Sequence, residues 1–585
     1  MKYFAFFSRE NAKFLIRPTR RSAVAALCAM AFLVGTQAGA AGLDKPEQSP
    51  APILKAVALN GLATDLSALP PADAPDLRTW LGAGHIEGRA LSDAEAIRSF
   101  YRQRNNVAFW TGTRGPNEAA RDLVAVLEDA WTHGLNPAKY DLAALDRLME
   151  TSATSPADRA ALEIRLTDAL VRYGRDITGT RTGRSEGEAS IRRKPMDAQT
   201  ILSLAATSGD LKSSLTALAP RGPLYRALRE ELIRLASSGG GAGYGQEALR
   251  FSSLPLYPGD SDADMPALRA RLGLEADPSP LYDDALAQAV AAFQRSRRLS
   301  DDGIVGPMTL SALNATPAHR MNQILANMER LRWLDQDRPD RYIIVNIPSQ
   351  TLWAVGSNQV IHEMKVIVGK PVRGTKDFKA TITGVRFNPT WTVPPTIKRK
   401  DFLPKLINNP GYLGEKGITL LQRQGGKMVR VDPYAVDWSS VSGSDLAGMS
   451  MVQSAGDRNA LGKVRVLMPN PYDMYLHDTS SPELFAETQR TLSSGCVRIE
   501  NPEAVADFIL SSNEGWSVDK MRDMIDRGRT VDVKTEHPIP VYIIYQTAWL
   551  DSHGQLVFGE DVYGRDKALL QALKASDELP VFRAG

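Results

Sequence analysis

The chain has 585 residues, with 70 lysines and arginines against 67 aspartates and glutamates, a net formal charge of +3. Six of those cations and one acid fall in residues 1–40; without that segment the net charge is −2, so the basic balance is no argument for nucleic acid. Two cysteines exclude a disulfide-built scaffold, and no apolar stretch beyond the N-terminus is long enough for a membrane helix.

Residues 1–40 have the three parts of an export signal. Lys13, Arg17, Arg20 and Arg21 form a basic start, Ala23 to Val34 a short apolar run, and Ala38-Gly39-Ala40 a small-residue cleavage site. The alternative is an uncleaved inner-membrane anchor. Cys28 lies inside the apolar run behind Leu27, which argues against a lipoprotein anchor. Cleavage leaves Cys496 as the one cysteine, and a lone thiol in an oxidising compartment is a liability unless its reactivity is used.

The length predicts three or four domains. Residues 41–76 are rich in Ala, Pro and Asp and read as a linker. Residues 77–255 read as a helical scaffold domain. Ala96 to Tyr101, Leu123 to Leu127 and Ala160 to Tyr173 space apolar residues at helical intervals, and Gly134-Leu135-Asn136-Pro137 stops one helix. The Gly/Ser tract from Ser237 to Gly245 has no preceding strand and fails the dinucleotide fingerprint, so it reads as a flexible linker.

Residues 256–318 form a compact module in which Leu268, Leu272, Leu286, Val290 and Phe293 fit short amphipathic helices. Ala292-Phe293-Gln294 ahead of Asp302-Gly303-Ile304-Val305-Gly306-Pro307-x-Thr309 resembles the small three-helix peptidoglycan-binding module. The alternative is a packing domain that no longer binds glycan. Residues 319–339 predict a connecting helix that belongs with the scaffold.

From residue 340 the apolar period changes from 3.6 to 2. Tyr342 to Ile347, Thr351 to Val355 and Glu363 to Val368 predict antiparallel strands joined by turns at Pro348-Ser349 and Gly356-Ser357-Asn358. Val541 to Tyr545 and Ala548 to Leu550 are expected to complete the same sheet, which places 340–585 in one domain.

A thiol nucleophile needs a base within reach and donors facing the oxyanion that forms on the attacked carbonyl. Cys496 lies in Ser493-Ser494-Gly495-Cys496-Val497-Arg498. Of the seven histidines, His477 is best placed, at the end of a strand reading Tyr475-Leu476-His477. His85, His133, His319, His362, His537 and His553 read as structural. The expected arrangement is a sulfur ionised beside an imidazole at the mouth of a β-rich groove.

These residues resemble a family. His477-x-Thr479 followed by Ser493-x-Gly495-Cys496-Val497-Arg498 is similar to the L,D-transpeptidase catalytic domain of the YkuD type. Gly369-Lys370-Pro371, Thr375-Lys376-x-Phe378, the run from Asn388 to Ile397 and Gln453 to Gly462 match in the family's order. The helical region and small module further resemble its large, YcbB-like periplasmic subgroup. The family's commonest motif has His before Gly-Cys; Ser494 stands there, which points the base assignment at His477.

The resemblance implies a multidomain α+β protein in the periplasm, with a capping insertion at about 398–452. It implies Cys496 as nucleophile and His477 as proton donor and acceptor, with no metal or organic cofactor. Gly495, Ser494 and Tyr475 would shape the loop and oxyanion site, and Arg498, Trp391 and Thr479 would bind substrate. The alternative readings are a loop holder for Arg498 and core for Trp391. Lys398-Arg399-Lys400 is either a patch for acidic stem peptides or a solvated helix face. The implied reaction forms 3→3 peptidoglycan cross-links. The implied partners are stem peptides, glycan strands and carbapenem-type β-lactams, with no nucleic acid; other cell-wall synthases are a further partner class. The alternatives are an L,D-carboxypeptidase, a non-catalytic wall-binding scaffold, and attachment of an envelope protein to the wall.

Overall fold

A computed structural model describes residues 73–581, apart from 87, 113, 180, 183–189, 238–248, 250, 298 and 316. The export signal, Cys28, most of the linker and all but Ser237 of the Gly/Ser tract lie outside the described residues. The first described helix begins at Asp73, inside the stretch expected as linker.

The scaffold is helical as expected, with α1 (Ala94–Gln103), α2 (Glu118–Glu128), α3 (Pro156–Thr178) and α4 (Pro223–Ser237). Ser155 caps α3 by accepting from the Asp158 amide, and Pro156 occupies the first turn, where its missing N–H costs nothing. Leu162, Ile164, Leu166 and Leu170 of α3 are fully buried. Its Glu163 is also buried, and accepts at 2.8 Å from the Phe109 and Trp110 amides and the Thr111 and Tyr101 hydroxyls.

The small module comprises α5 (Met265–Arg271), α6 (Asp284–Ser296) and α7 (Pro307–Asn314). Leu268, Leu286, Val290 and Val305 form its core together with Leu249, so the unit starts before the expected boundary at 256. The Gln294 amide lies within hydrogen-bond distance of Asp302, Ile304 and Thr309, and accepts from the Gly303 N–H. That one side chain explains why Gln294 and the Asp302-to-Thr309 turn occur together.

Helix α8 (Pro317–Trp333) is buried on most faces. Met321, Ile324, Leu325 and Met328 join the scaffold core.

The β-rich domain opens with β1 (Arg341–Asn346), β2 (Thr351–Gly356), β3 (Gln359–Gly369) and β4 (Phe378–Phe387). A cap follows, with β5 (Trp391–Thr392), β6 (Ile418–Gln424), β7 (Lys427–Arg430) and β8 (Met449–Gln453) in a separate sheet of order β7-β6-β8-β5. Val393, Phe402, Leu406, Leu420, Trp438 and Met451 fill its own core. The main sheet resumes with β9 (Val464–Leu467), β10 (Leu476–His477), β11 (Thr491–Ser493) and β12 (Val497–Ile499). After α9 (Pro502–Leu510) and α10 (Val518–Asp526) comes the long β13 (Val531–Ile544).

The main sheet has the order β11-β3-β12-β10-β9-β4-β13-β1-β2, and β2 pairs back onto β3, so the sheet closes on itself. The β1–β2–β3 meander is antiparallel as expected. The pairs β10–β12, β11–β3 and β13–β1 are parallel, so the sheet is mixed rather than antiparallel. Parallel neighbours require a long connection, and residues 478–496 supply one between β10 and β12.

The C-terminal segment departs from expectation. Strand β14 (Ala548–Leu550) pairs only with β15 (Leu556–Phe558), in a two-stranded sheet outside the main one. Polar groups on α8 explain this. Asn327 donates to the Thr547 hydroxyl and accepts from the Ala548 amide, and Gln323 donates to the Gly559 carbonyl. Arg330 pairs with Asp566 at 2.5 Å. Helix α11 (Arg565–Ala575) then places Leu569 and Leu573 against Ala326 and Trp333. Strands β14 and β15 and helix α11 therefore pack on the scaffold side, while Val562 and Tyr563 between them touch the main-sheet core.

Glu329 of α8 anchors this junction, pairing with Arg181 at 2.9 Å and Arg332 at 2.7 Å with all three side chains buried. Glu329→Ala leaves the buried Arg332 without an acid and Arg181 with only Glu578 at 3.6 Å, an expected loss of about 3–5 kcal/mol. Chemical denaturation followed by tryptophan fluorescence measures it; a loss below about 1 kcal/mol contradicts the assignment.

Candidate active site

Strands β10 and β12 bring the predicted pair to one face. Their parallel register sets Leu476 beside Val497 and His477 beside Arg498. Side chains alternate along a strand, and Leu476 and Val497 fill the domain core. Tyr475, His477, Cys496 and Arg498 therefore share the opposite face. His477 and Cys496 are diagonal neighbours there, about 4.8 Å apart across the strands and two residues apart along them.

His477 is buried, and its Nδ1 lies 2.5 Å from the Asp478 carbonyl. A carbonyl only accepts, so Nδ1 carries the proton and the Nε2 lone pair is left to act as base. Burial, with the Arg498 and Arg465 guanidiniums assisting, lowers the imidazole pKa to about 3. The ring is neutral at physiological pH.

The sulfur differs from expectation. Burial raises the Cys496 pKa above the ordinary 9.0, although the Tyr475 backbone N–H and the Arg465 and Arg498 charges act the other way. Sγ lies 4.0 Å from the Asp473 carbonyl, the one acceptor within reach of the thiol among the described residues. The resting site is a neutral thiol near a neutral imidazole rather than an ionised pair, because desolvation outweighs the nearby positive charge.

The loop around Cys496 is held from several sides. Ser493 donates to the Cys496 carbonyl at 2.6 Å and accepts from the Gly495 amide at 3.1 Å. The Gly495 N–H is thus used inside the loop and does not face an oxyanion. The Cys496 amide has no acceptor among the described residues. Gly495 has φ +124, a conformation that favours glycine. Its carbonyl accepts from the Thr375 hydroxyl, which itself accepts from the Gly369 amide. A side chain at Gly369 would meet the Arg373 carbonyl at 2.3 Å, so the turn that presents Thr375 needs a glycine there.

Ser494 is exposed and accepts from Arg373 at 3.1 Å. Arg373 also grips Asp401 of the cap with two contacts of 2.5 Å, which joins the cap to the cysteine loop. Lys398 is neither of the expected alternatives: it is buried and donates to the Leu446 and Met449 carbonyls inside the cap, while Arg399 and Lys400 are exposed.

The remaining predicted residues divide. Tyr475 carries the Arg465 guanidinium 3.7 Å over its ring. Arg498 is half-buried beside Cys496 and makes no ion pair among the described residues. Thr479 accepts from the Ser481 amide and serves a turn. Trp391 packs edge-on against Phe402 in the cap core, 6.2 Å between ring centres, which favours its core reading. Sequence reasoning assigned no role to Arg465, Arg373 or Ser493; only Ser493 carried a signal, from its place in the cysteine motif. No cluster of potential metal ligands occurs among the described residues.

A cysteine and a histidine with an unprotonated Nε2 thus share the sheet face opposite the domain core, on adjoining strands. Comparison with known proteins then specifies the class. Residues 340–543 match the model described as "L,D-transpeptidase catalytic domain", 268–313 the "Putative peptidoglycan binding domain" and 95–232 the "Scaffold domain". The chain therefore carries an L,D-transpeptidase catalytic domain of the YkuD type beside a peptidoglycan-binding domain and a helical scaffold.

A Haemophilus influenzae protein named "Putative L,D-transpeptidase" is 34% identical over 249 residues, covering 42% of this chain and 48% of that protein. The match spans about half the relative's length. An L,D-transpeptidase from Mycobacterium smegmatis is 12% identical over 35% of this chain and 58% of its own, at a TM-score of 0.17. The "Ldtfm-avibactam carbamoyl enzyme" is 13% identical over 35% of this chain and 49% of its own, at 0.16. Structural overlaps of that size carry no argument.

The raised thiol pKa gives a sign. At a given pH the thiolate fraction is smaller than in a free thiol, so Cys496 alkylation by iodoacetamide should stay slow at neutral pH and climb above pH 9. A rate–pH profile by intact mass checks this; a plateau reached by about pH 7 contradicts it.

Proposed function

We propose that the protein is an exported, periplasmic L,D-transpeptidase that makes 3→3 cross-links in peptidoglycan through Cys496. The observation that carries this reading is the shared sheet face of Cys496 and a His477 whose Nε2 is free. The Cys496 thiol attacks the carbonyl of the third residue, diaminopimelate, of a donor tetrapeptide stem. A C–S bond forms, the amide C–N bond breaks and D-alanine leaves. His477 Nε2 takes the thiol proton and passes it to the leaving amine. The side-chain amine of a second stem attacks the thioester, restores the thiol and completes the cross-link.

The neutral resting pair fits proton transfer concerted with attack. A thiolate standing idle in an oxidising compartment would be open to oxidation, and a desolvated thiol is protected. The Cys496 amide, with no acceptor of its own, is the donor available to the developing oxyanion. The 268–313 module keeps the enzyme on glycan strands, and carbapenem-type β-lactams acylate the same sulfur.

Incubation with disaccharide-tetrapeptide, followed by mass analysis of the products, tests the proposal. Wild type should give cross-linked dimers and free D-alanine. Cys496→Ala should give neither, and His477→Ala should lower kcat by about 10²–10⁴-fold. Tripeptide without dimers would assign the site to an L,D-carboxypeptidase. Turnover by Cys496→Ala would remove the mechanism; no turnover by wild type together with no carbapenem adduct would favour a wall-binding scaffold.

A further inference from the structure

The sheet face that carries Cys496 also carries a row of charge. Register sets Arg498 beside His477, His477 beside Arg465, Arg465 beside Arg386 and Arg386 beside Asp532, across five strands. The row holds three guanidiniums and one carboxylate. Arg386 takes that carboxylate with two hydrogen bonds of 2.6 and 2.7 Å. Arg465 and Arg498 are left without an acid among the described residues. Arg465 is stacked on Tyr475, and its buried Nε has no hydrogen-bond partner. Glu483 acts on Arg498 without forming an ion pair, Asp532 is already engaged by Arg386, and Asp473 acts on the neighbouring Cys496 and Tyr475 without an ion pair to either arginine.

The most deeply buried guanidiniums are paired: Arg181 and Arg332 share Glu329, and Arg330 has Asp566, whereas the half-buried Arg104 and Arg490 share with Arg465 and Arg498 the lack of an ion pair among the described residues. A partly desolvated guanidinium with no anion is costly, and a planar fork of donors fits a carboxylate.

We infer that Arg465, together with Arg498, seats the free terminal carboxylate of the donor peptide, and that Arg465 is a specificity residue for donors ending one residue beyond the attacked carbonyl. The inference rests on the L,D-transpeptidase reading. In such a donor the carboxylate is separated from the scissile amide nitrogen by a single Cα, so it must lie close to the sulfur during attack. Both guanidiniums border that sulfur electrostatically. A longer peptide or an amidated end leaves the seat unfilled, and a site built for a charge rejects the analogue that lacks it. Filling the seat also neutralises the positive charge beside His477, which favours proton uptake by the ring as the carbonyl is attacked. Substrate thereby completes the base.

The test uses the full-length protein and two donors: disaccharide-tetrapeptide with a free D-alanine carboxylate, and the same molecule ending in D-alaninamide. Release of D-alanine or D-alaninamide gives kcat/KM for each. Wild type should favour the carboxylate by about tenfold or more, and Arg465→Gln should reduce that ratio by about tenfold or more, mainly through KM. Arg465→Lys, which keeps the charge and loses the fork, should fall between. Iodoacetamide labelling of Cys496 as slow at neutral pH as in wild type reports that the variant's site is folded. If wild type does not discriminate, or the ratio survives Arg465→Gln in a variant that keeps this slow labelling, the seat is wrong. Turnover by Cys496→Ala would instead overturn the transpeptidase reading itself.

Discussion

The parallel pairing of Leu476–His477 with Val497–Arg498 is the contact on which the rest of the site depends. Two apolar side chains, Leu476 and Val497, are fully buried in the domain core. Their burial fixes the register, because a slip of one residue would exchange the faces. With the register fixed, Tyr475, His477, Cys496 and Arg498 must point outward together. The site is thus set by the hydrophobic effect acting on residues that take no part in the chemistry.

A second constraint reaches the cysteine loop from the far side. Asp566 is held by Arg330 of α8, and the next residue, Arg565, donates to the Asp377 carboxylate and the Thr375 carbonyl. Tyr563 donates to the Gly369 carbonyl. Thr375 then holds the Gly495 carbonyl. A chain of buried polar contacts therefore runs from the scaffold helix to the residue before Cys496. It gives the C-terminal segment a reason to leave the main sheet. On the other side, Asp401 and Arg373 connect Ser494 to the cap. The loop lies between a fixed wall and a smaller domain with its own core, an arrangement suited to closing over a bound peptide.

Much of this was legible in the sequence, for identifiable reasons. The helices of the scaffold declare themselves through apolar spacing, and the module through Gln294 and its turn. Cys496 and His477 stood out as candidates because a thiol nucleophile needs a base within reach and the sequence offers few of either, and the structure sets them on one sheet face. Arg465 was not. It lies in Val464-Arg465-Val466-Leu467, where alternation reads as an ordinary solvent-facing charge, and its nearness to His477 follows from a register that no local pattern records. The β10–β12 pairing was missed because those strands are only two and three residues long, and the β13–β1 pairing because it joins segments nearly two hundred residues apart. Ala548 to Leu550 looks like any half-buried strand; its destination was decided by polar groups on α8, more than two hundred residues earlier. The ionisation state of the sulfur was misjudged because desolvation is a property of the packed site and not of the motif.

The most direct test of the account is the mass of the intact protein after brief exposure to disaccharide-tetrapeptide with no acceptor stem present. A thioester on Cys496 predicts a gain equal to the donor less D-alanine, which hydroxylamine removes and Cys496→Ala never shows. Continued release of D-alanine with no adduct at Cys496 at any time point, even at low temperature and rapid quench, would contradict it.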